Sequence, residues 1–205
     1  MSSPRPNRRQ RQREATRIEI LNAARELFAE RGYAATSMAA IAEAASAAVQ
    51  TIYDSVGSKA AVLLALTELV EQPVAGIWKQ SETTVEPRKM LALAIGLTRT
   101  INEQSGDIVA LLSSASSTEQ IAADALKEGK RHHIDGTRRW IEMMAEREML
   151  KPGVTVDYAA TALGTLSSWG VWTELTGDFG LTFDDAEKWI TDSLADLLLK
   201  DENRN

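Results

Sequence analysis

The 205-residue chain contains no cysteine. Disulfides and thiolate metal sites are thereby excluded, and a reducing compartment such as the cytoplasm suits it. Proline is scarce, at 5 residues, and Phe, Trp and Tyr together make up 5%. A chain so poor in turn and strand formers, and rich in Ala and Leu, favours helix over sheet. No apolar run approaches the ~20 residues of a membrane span. The opening MSSPRPNRRQRQRE carries arginines with no apolar segment behind them, so it does not read as a secretory signal. Histidine occurs only twice, and neither a nucleophile motif nor a pair of carboxylates on a rigid loop is present. The expectation is a protein without catalytic residues, metal or cofactor.

Charge is present but unevenly distributed. Residues 1–60 hold nine Lys and Arg against six Asp and Glu, a net +3, and the remainder is net −9, which together give the overall −6. Within the first seventeen residues Arg5, Arg8, Arg9, Arg11, Arg13 and Arg17 face only Glu14. A basic head on an acidic body points to a polyanion partner for the head alone. Residues 1–12 lack apolar periodicity and are expected to be a disordered basic arm.

Helical periodicity starts after the arm. Ile18, Leu21, Ala24, Leu27 and Phe28 recur at helical spacing over about 14–31, and Gly32 stands at the C-cap position. Thr36 and Ser37 offer N-caps for a short helix with Met38 and Ile41 inward. A break follows, then a second short helix near 48–54. Gly57 makes a turn, and Ser58 caps a long helix that Pro73 kinks or ends. Further helices are expected over 86–104, 107–117, 118–150 (whole or broken near Gly129 or Gly136), 155–176 and 183–200, the last opened by Thr182 with Asp185 three residues on. The fold class is all-α with about nine helices.

Two short helices joined by a tight turn, inside a three-helix head, form a helix-turn-helix pattern. In such a unit the second helix enters the major groove and its first residues meet base edges. Ile41 and Ala45 on the first helix, with Val49, Ile52 and Val56 around the second, supply a small core. Gln50 is the long amide placed to pair with an adenine edge. Thr51, Tyr53 and Lys59 face phosphate, as do Thr36 and Ser37 beyond their capping role. Val49 at the helix start and Arg13 and Arg17 at the front of the head's first helix complete the DNA-facing set. The triplet Gly57-Ser58-Lys59 is not a nucleotide phosphate loop, because the earlier glycine and the Lys-Ser/Thr pair are missing.

Residues 14–66 resemble the DNA-binding domain of the TetR/AcrR family of bacterial transcription regulators. The resemblance rests on Glu30-Arg31-Gly32-Tyr33, Thr36-Ser37, Ile41-Ala42 with Ala45, and Thr51, Tyr53, Val56 and Lys59. Two departures stand out. The family's turn glycine is Ser46, which is strained if the turn needs a positive φ, and its usual phenylalanine is Val56. The recognition helix also carries no Arg or Lys. The resemblance implies a head over 13–57 and a ligand-binding and dimerisation body over 58–205. It further implies a palindromic operator in double-stranded DNA, a homodimer and a small effector.

In the body, Met90, Leu97, Trp140, Met143, Met144, Trp169 and Trp172, with His133 as a polar member, are either an apolar pocket lining or ordinary core. As a lining they would suit a hydrophobic effector. The Ala- and Gly-rich helix 155–176 and the last helix are expected to meet a partner copy through Ala159, Ala162, Leu166, Ile190, Leu194 and Leu197. The pair His132-His133 before Asp135 approximates the acyltransferase pattern HHxxxDG with one intervening residue in place of three. Adjacent helical residues point ~100° apart and make a poor metal pair. The sequence thus predicts a cytoplasmic, ligand-responsive repressor. A helical ligand- or partner-binding module with degenerate DNA recognition is the alternative.

Overall fold

A computed structural model describes residues 7–69 and 74–200. Among these, ten α-helices make up the architecture, with no strand beyond one antiparallel bridge between Leu150 and Leu199. The fold is all-α, as expected. The helix count differs in three places. Residues expected as two helices, 86–104 and 107–117, form one helix, and two expected single helices are each split.

The chain divides into two compact units, Met1–Leu69 with Asp107–Lys127, and Val70–Gly106 with Glu128–Asn205. The first unit opens with α1, Arg8–Arg31. The disorder expected over 1–12 is therefore corrected for Arg8–Gln12, while residues 1–6 lie outside the described part. A reciprocal cap sets the start: Asn7 Oδ1 accepts from the Gln10 amide at 2.9 Å, and Gln10 Oε1 accepts from the Asn7 amide at 2.8 Å. Ile20, Leu21, Ala24, Leu27 and Phe28 are buried along one face.

Three short helices follow. Ser37 caps α2 (Met38–Ala44), α3 spans Val49–Ser55, and Ser58 caps α4 (Lys59–Ala65), which tightens into a 3-10 turn at Leu66–Leu69. Helices of seven residues are not stable alone, and each is held by buried apolar side chains: Ile41 and Ala42, Ile52, and Val62 and Leu63. Gly57 takes φ 115° between α3 and α4, a conformation that other residues adopt only under strain. The expected action of Pro73 lies outside the described residues.

The domain boundary expected after residue 57 is not where the units divide. Residues through Leu69 group with the head, and so does the distant segment Asp107–Lys127. Arg25 on α1 makes a forked ion pair to Asp107, both N···O distances 2.6 Å, and Glu119 lies beside the Tyr33 hydroxyl. Nothing local in sequence announces such long-range pairs.

The second unit takes most of its residues from α5 (Val74–Thr83), α6 (Pro87–Ala115), α7 (Gln120–Glu146), α8 (Val156–Leu166), α9 (Trp169–Thr173) and α10 (Phe183–Leu198). Helices α6 and α7 give residues to both units. A break at Ser167–Ser168 separates α8 from α9, and a π turn continues to Asp178. Thr182 caps α10, accepting from the Asp185 amide at 3.1 Å and donating to its carboxylate at 2.7 Å. Met90, Leu91, Ile95, Trp140, Ile141, Met144, Trp172, Ile190, Leu194 and Leu198 form the core. Both buried indoles find acceptors: Trp140 Nε1 donates to Met90 O and Trp172 Nε1 to Thr98 Oγ1, each at 3.1 Å.

Ser46, in the turn between α2 and α3, has φ 50°, so the serine sits in the left-handed region that the sequence departure foreshadowed. Ser46→Gly should raise the unfolding free energy of the head by about 1 kcal/mol, and Ser46→Val should lower it. Urea denaturation of the two variants beside the parent checks both signs.

Candidate nucleic-acid interface

The surface around α3 is built from the core outward. Ile41 and Ile52 are fully buried, which fixes the roll of α2 and α3. The opposite face of α3 then presents Val49, Gln50, Tyr53 and Asp54, all exposed, with Thr51 half-buried. Val49 is 38% exposed and Tyr53 49% exposed, so Val49 belongs to the outer face and not to the head core. Gln50 Nε2 donates to Asp54 Oδ1 at 2.8 Å, one helical turn on. An ionised carboxylate only accepts, so this contact settles which end of the Gln50 amide faces Asp54 and leaves Oε1 and one N–H free.

Lys59, at the start of α4, is partly committed. Its Nζ lies 4.3 Å from the Tyr33 ring centroid and donates to Ala34 O at 3.3 Å. Tyr33 in turn rests on Phe28, with ring centroids 5.4 Å apart. Burial and the neighbouring Glu119 carboxylate push the Tyr33 hydroxyl up to about 12. Ser37 is exposed and its Oγ accepts the Ala40 amide at 3.1 Å. Arg13 is exposed on α1.

Two members of the expected set do other work. Thr36 is 2% exposed, and its hydroxyl donates to Gly32 O at 2.9 Å and Leu27 O at 3.2 Å. It locks the end of α1 to the start of α2 and is closed to a phosphate. Arg17 donates to Ser55 O at 2.6 Å and forks onto Glu68 at 2.8 and 3.1 Å. It positions the carboxyl end of α3, with its charge largely neutralised.

The expected body sites are also redistributed. Met90, Trp140, Met144 and Trp172 are closed within the core, while Leu97, Met143 and Trp169 are half-buried. His133 Nε2 lies 2.8 Å from Gly164 O. A Cβ on Gly164 would come within 3.2 Å of Thr137 Oγ1, so the small residue there serves packing against α7 of the same chain. Ala159, Ile190 and Leu194 are fully buried in the chain's own core and are not available to a partner copy. Ala162 and Leu166 are half-buried and Leu197 is 37% exposed. Tyr158, Phe179 and Trp189 are large exposed apolar side chains that the sequence reading missed. One surface hollow is lined by Arg88, Ala92, Asp184, Glu187, Lys188, Thr191 and Asp192, and a second by Asn22, Arg25, Glu26, Ala29 and Asp107. Mostly charged residues line both, and neither includes an expected lining residue. Among the described residues no His, Asp and Glu side chains gather as a metal site, and no helix is long and apolar enough to cross a membrane.

Residues 20–66 match the family described as bacterial regulatory proteins, tetR family. Solved structures share the fold over nearly the whole chain. A SmeT–triclosan complex is 20% identical with a TM-score of 0.75, covering 92% of this chain and 93% of that one. NalD, the secondary repressor of the MexAB-OprM multidrug efflux pump in Pseudomonas aeruginosa, is 23% identical with a TM-score of 0.71, covering 92% and 99%. The transcriptional regulator FadR from Bacillus subtilis in complex with stearoyl-CoA is 18% identical with a TM-score of 0.67, covering 86% and 96%. The helix-turn-helix segment is thus similar to the tetR family of bacterial regulatory proteins, and the chain shares the fold of these solved structures.

The raised Tyr33 value sets a pH dependence. The neutral hydroxyl is favoured in the folded head, so its contribution is fully present below the ordinary value of 10.0 and is lost as pH rises from there to about 12. Tyr33→Phe should flatten this alkaline loss, read from melting temperatures between pH 9 and 12.

Proposed function

We propose that the protein is a dimeric repressor that leaves a palindromic operator when it binds a small, largely hydrophobic effector. The observation that carries this reading is the outer face of α3, where Val49, Gln50 and Tyr53 stand exposed while Ile52 is fully buried beneath them. Gln50 reads an adenine edge with its free Oε1 and N–H, and Val49 meets a thymine methyl. Ser37, Thr51, Tyr53, Lys59 and Arg13 engage phosphate and set the register. The indole- and thioether-rich body supports an apolar effector, as do the triclosan and stearoyl-CoA bound by two proteins of the same fold. Helices α6 and α7, each contributing to both units, are the continuous chain through which effector binding biases the head. The effector acts only through its differential affinity for two states.

The dimer surface is assigned to the outward sides of α8 and α10, with Tyr158, Ala162, Leu166, Trp189 and Leu197. A two-fold dimer presents two reading heads to half-sites about one helical turn apart. Binding takes place in the cytoplasm, on double-stranded DNA.

Selection of bound sequences from random duplex tests the reading. Enrichment of a palindrome is expected, and Gln50→Ala should weaken binding to it by ~10- to 100-fold while relaxing one base position. Equal affinity for selected and random duplex at moderate salt would leave the alternative, a helical module with degenerate recognition. Trp189→Lys should shift the protein from dimer to monomer in sedimentation velocity, with operator affinity falling alongside.

A further inference from the structure

The first turns of α1 have no packing role. Residues 8–15 are all exposed, and the first buried side chain is Ile20. At 1.5 Å per residue, about 18 Å of helix precedes the core. This stretch is nonetheless begun by a reciprocal Asn7–Gln10 cap. It carries Arg8, Arg9, Arg11 and Arg13, and no acidic residue stands in its first turn. Cations at a helix N-terminus oppose the helix dipole, and like charges four apart repel. Helix stability therefore does not account for the arginines.

Their placement relative to α3 does. Arg9, Arg13 and Arg17 follow one another at four-residue spacing and share a helix face. Arg17 is tied to Ser55 O at the carboxyl end of α3, so Arg13 and Arg9 extend that row by about 6 and 12 Å along the axis. Helix α3 itself has no Lys or Arg, Arg17 is held by Glu68, and Lys59 is shared with Tyr33 and Ala34. Arg25 and Arg31 pair with Asp107 and Glu30, so among the described residues the head's uncommitted positive charge is concentrated on this stretch.

We infer that the amino-terminal turns of α1 are a rigid phosphate clamp. Arg8, Arg9, Arg11 and Arg13 bind the DNA backbone flanking each half-site and supply most of the salt-dependent, sequence-independent part of affinity. The inference rests on the operator-binding reading. Guanidinium groups suit phosphate through paired N–H donors, and duplex DNA offers one negative charge per ~1.7 Å of axis. Base reading by α3 and electrostatic attraction by α1 are thereby separate functions of separate helices.

The test compares the parent with a variant carrying Arg8→Gln, Arg9→Gln, Arg11→Gln and Arg13→Gln, since glutamine keeps helix propensity without charge. Binding to the selected operator and to random duplex is measured from low to moderate salt. The slope of log K against log salt should fall by about 0.9 for each phosphate that a protomer no longer neutralises. It should fall on both duplexes, with the operator-to-random ratio retained. Replacing the same four arginines by lysine should restore the slope, and circular dichroism confirms that α1 stays helical. If the parent selects no operator, the repressor reading fails first. If it selects one and the glutamine variant keeps the parental slope, the clamp alone is overturned. Arginine-dependent binding to anionic phosphatidylglycerol vesicles with an unchanged DNA slope would likewise overturn it, in favour of a membrane surface.

Discussion

Everything the head presents depends on the burial of two isoleucines. Helices α2 and α3 are seven residues each, too short to nucleate on their own hydrogen bonds. They persist because Ile41 and Ile52 are driven into the core against α1. That burial also determines which side chains remain outside, since a helix with one side chain fixed inward has its opposite face fixed outward. The exposure of Gln50 and Tyr53 follows from the depth of Ile52. The tight turn at Ser46 and the Thr36 hydroxyl, bound to two backbone carbonyls, keep α2 at the distance this packing requires.

A second constraint is electrostatic. The chain carries −6 overall, so attraction to a polyanion needs local excess. Helix α3 could have supplied it and does not. Its one charged residue is Asp54, which holds the Gln50 amide. A carboxylate so close to the reading face disfavours indiscriminate approach to phosphate and lets amide geometry decide. Arg17 is occupied in holding the end of α3, and its value to the head is positional. On the proposed reading, attraction comes from side chains outside the helix-turn-helix, and the exposed arginines at the start of α1 are placed to supply it.

The parts of this arrangement that were legible in the sequence are local ones. Gly32, Ser37, Ser58 and Thr182 each cap the helix end expected of them, because caps depend on residues within one turn. The strain at Ser46 was legible for the same reason. Even the helical start of α1 had a signal in Asn7-Arg8-Arg9-Gln10, a capping-box spacing masked by arginine-rich composition. What was not legible depended mostly on partners far along the chain. Thr36 has the chemistry of a phosphate ligand, but the carbonyls of Leu27 and Gly32 at the end of α1 occupy it once the chain turns back, a local contact that residue type alone does not announce. Asp107 and Glu119 join the head through side chains of α1 and its following turn. Gly106 did not break α6, whereas Ser167 and Ser168 mark a break after α8.

The body shows why apolar periodicity alone misleads about interfaces. Ile190 and Leu194 define the strongest stripe of α10, and such a stripe invites the expectation of a partner copy. A single chain, however, must first bury its own most apolar face, and α10 packs that stripe into the core with Trp172, Leu163 and Met144. What stays exposed is the weaker, mixed face carrying Trp189 and Leu197, with Tyr158 on α8 exposed as well, and it is this surface that the proposed dimer would use. Aromatic side chains set among polar neighbours are what partner-binding surfaces favour once the core is satisfied. The same argument separates the tryptophans: Trp140 and Trp172 donate to acceptors inside the fold and serve its interior. Trp189, half outside the fold, has apolar area still to bury.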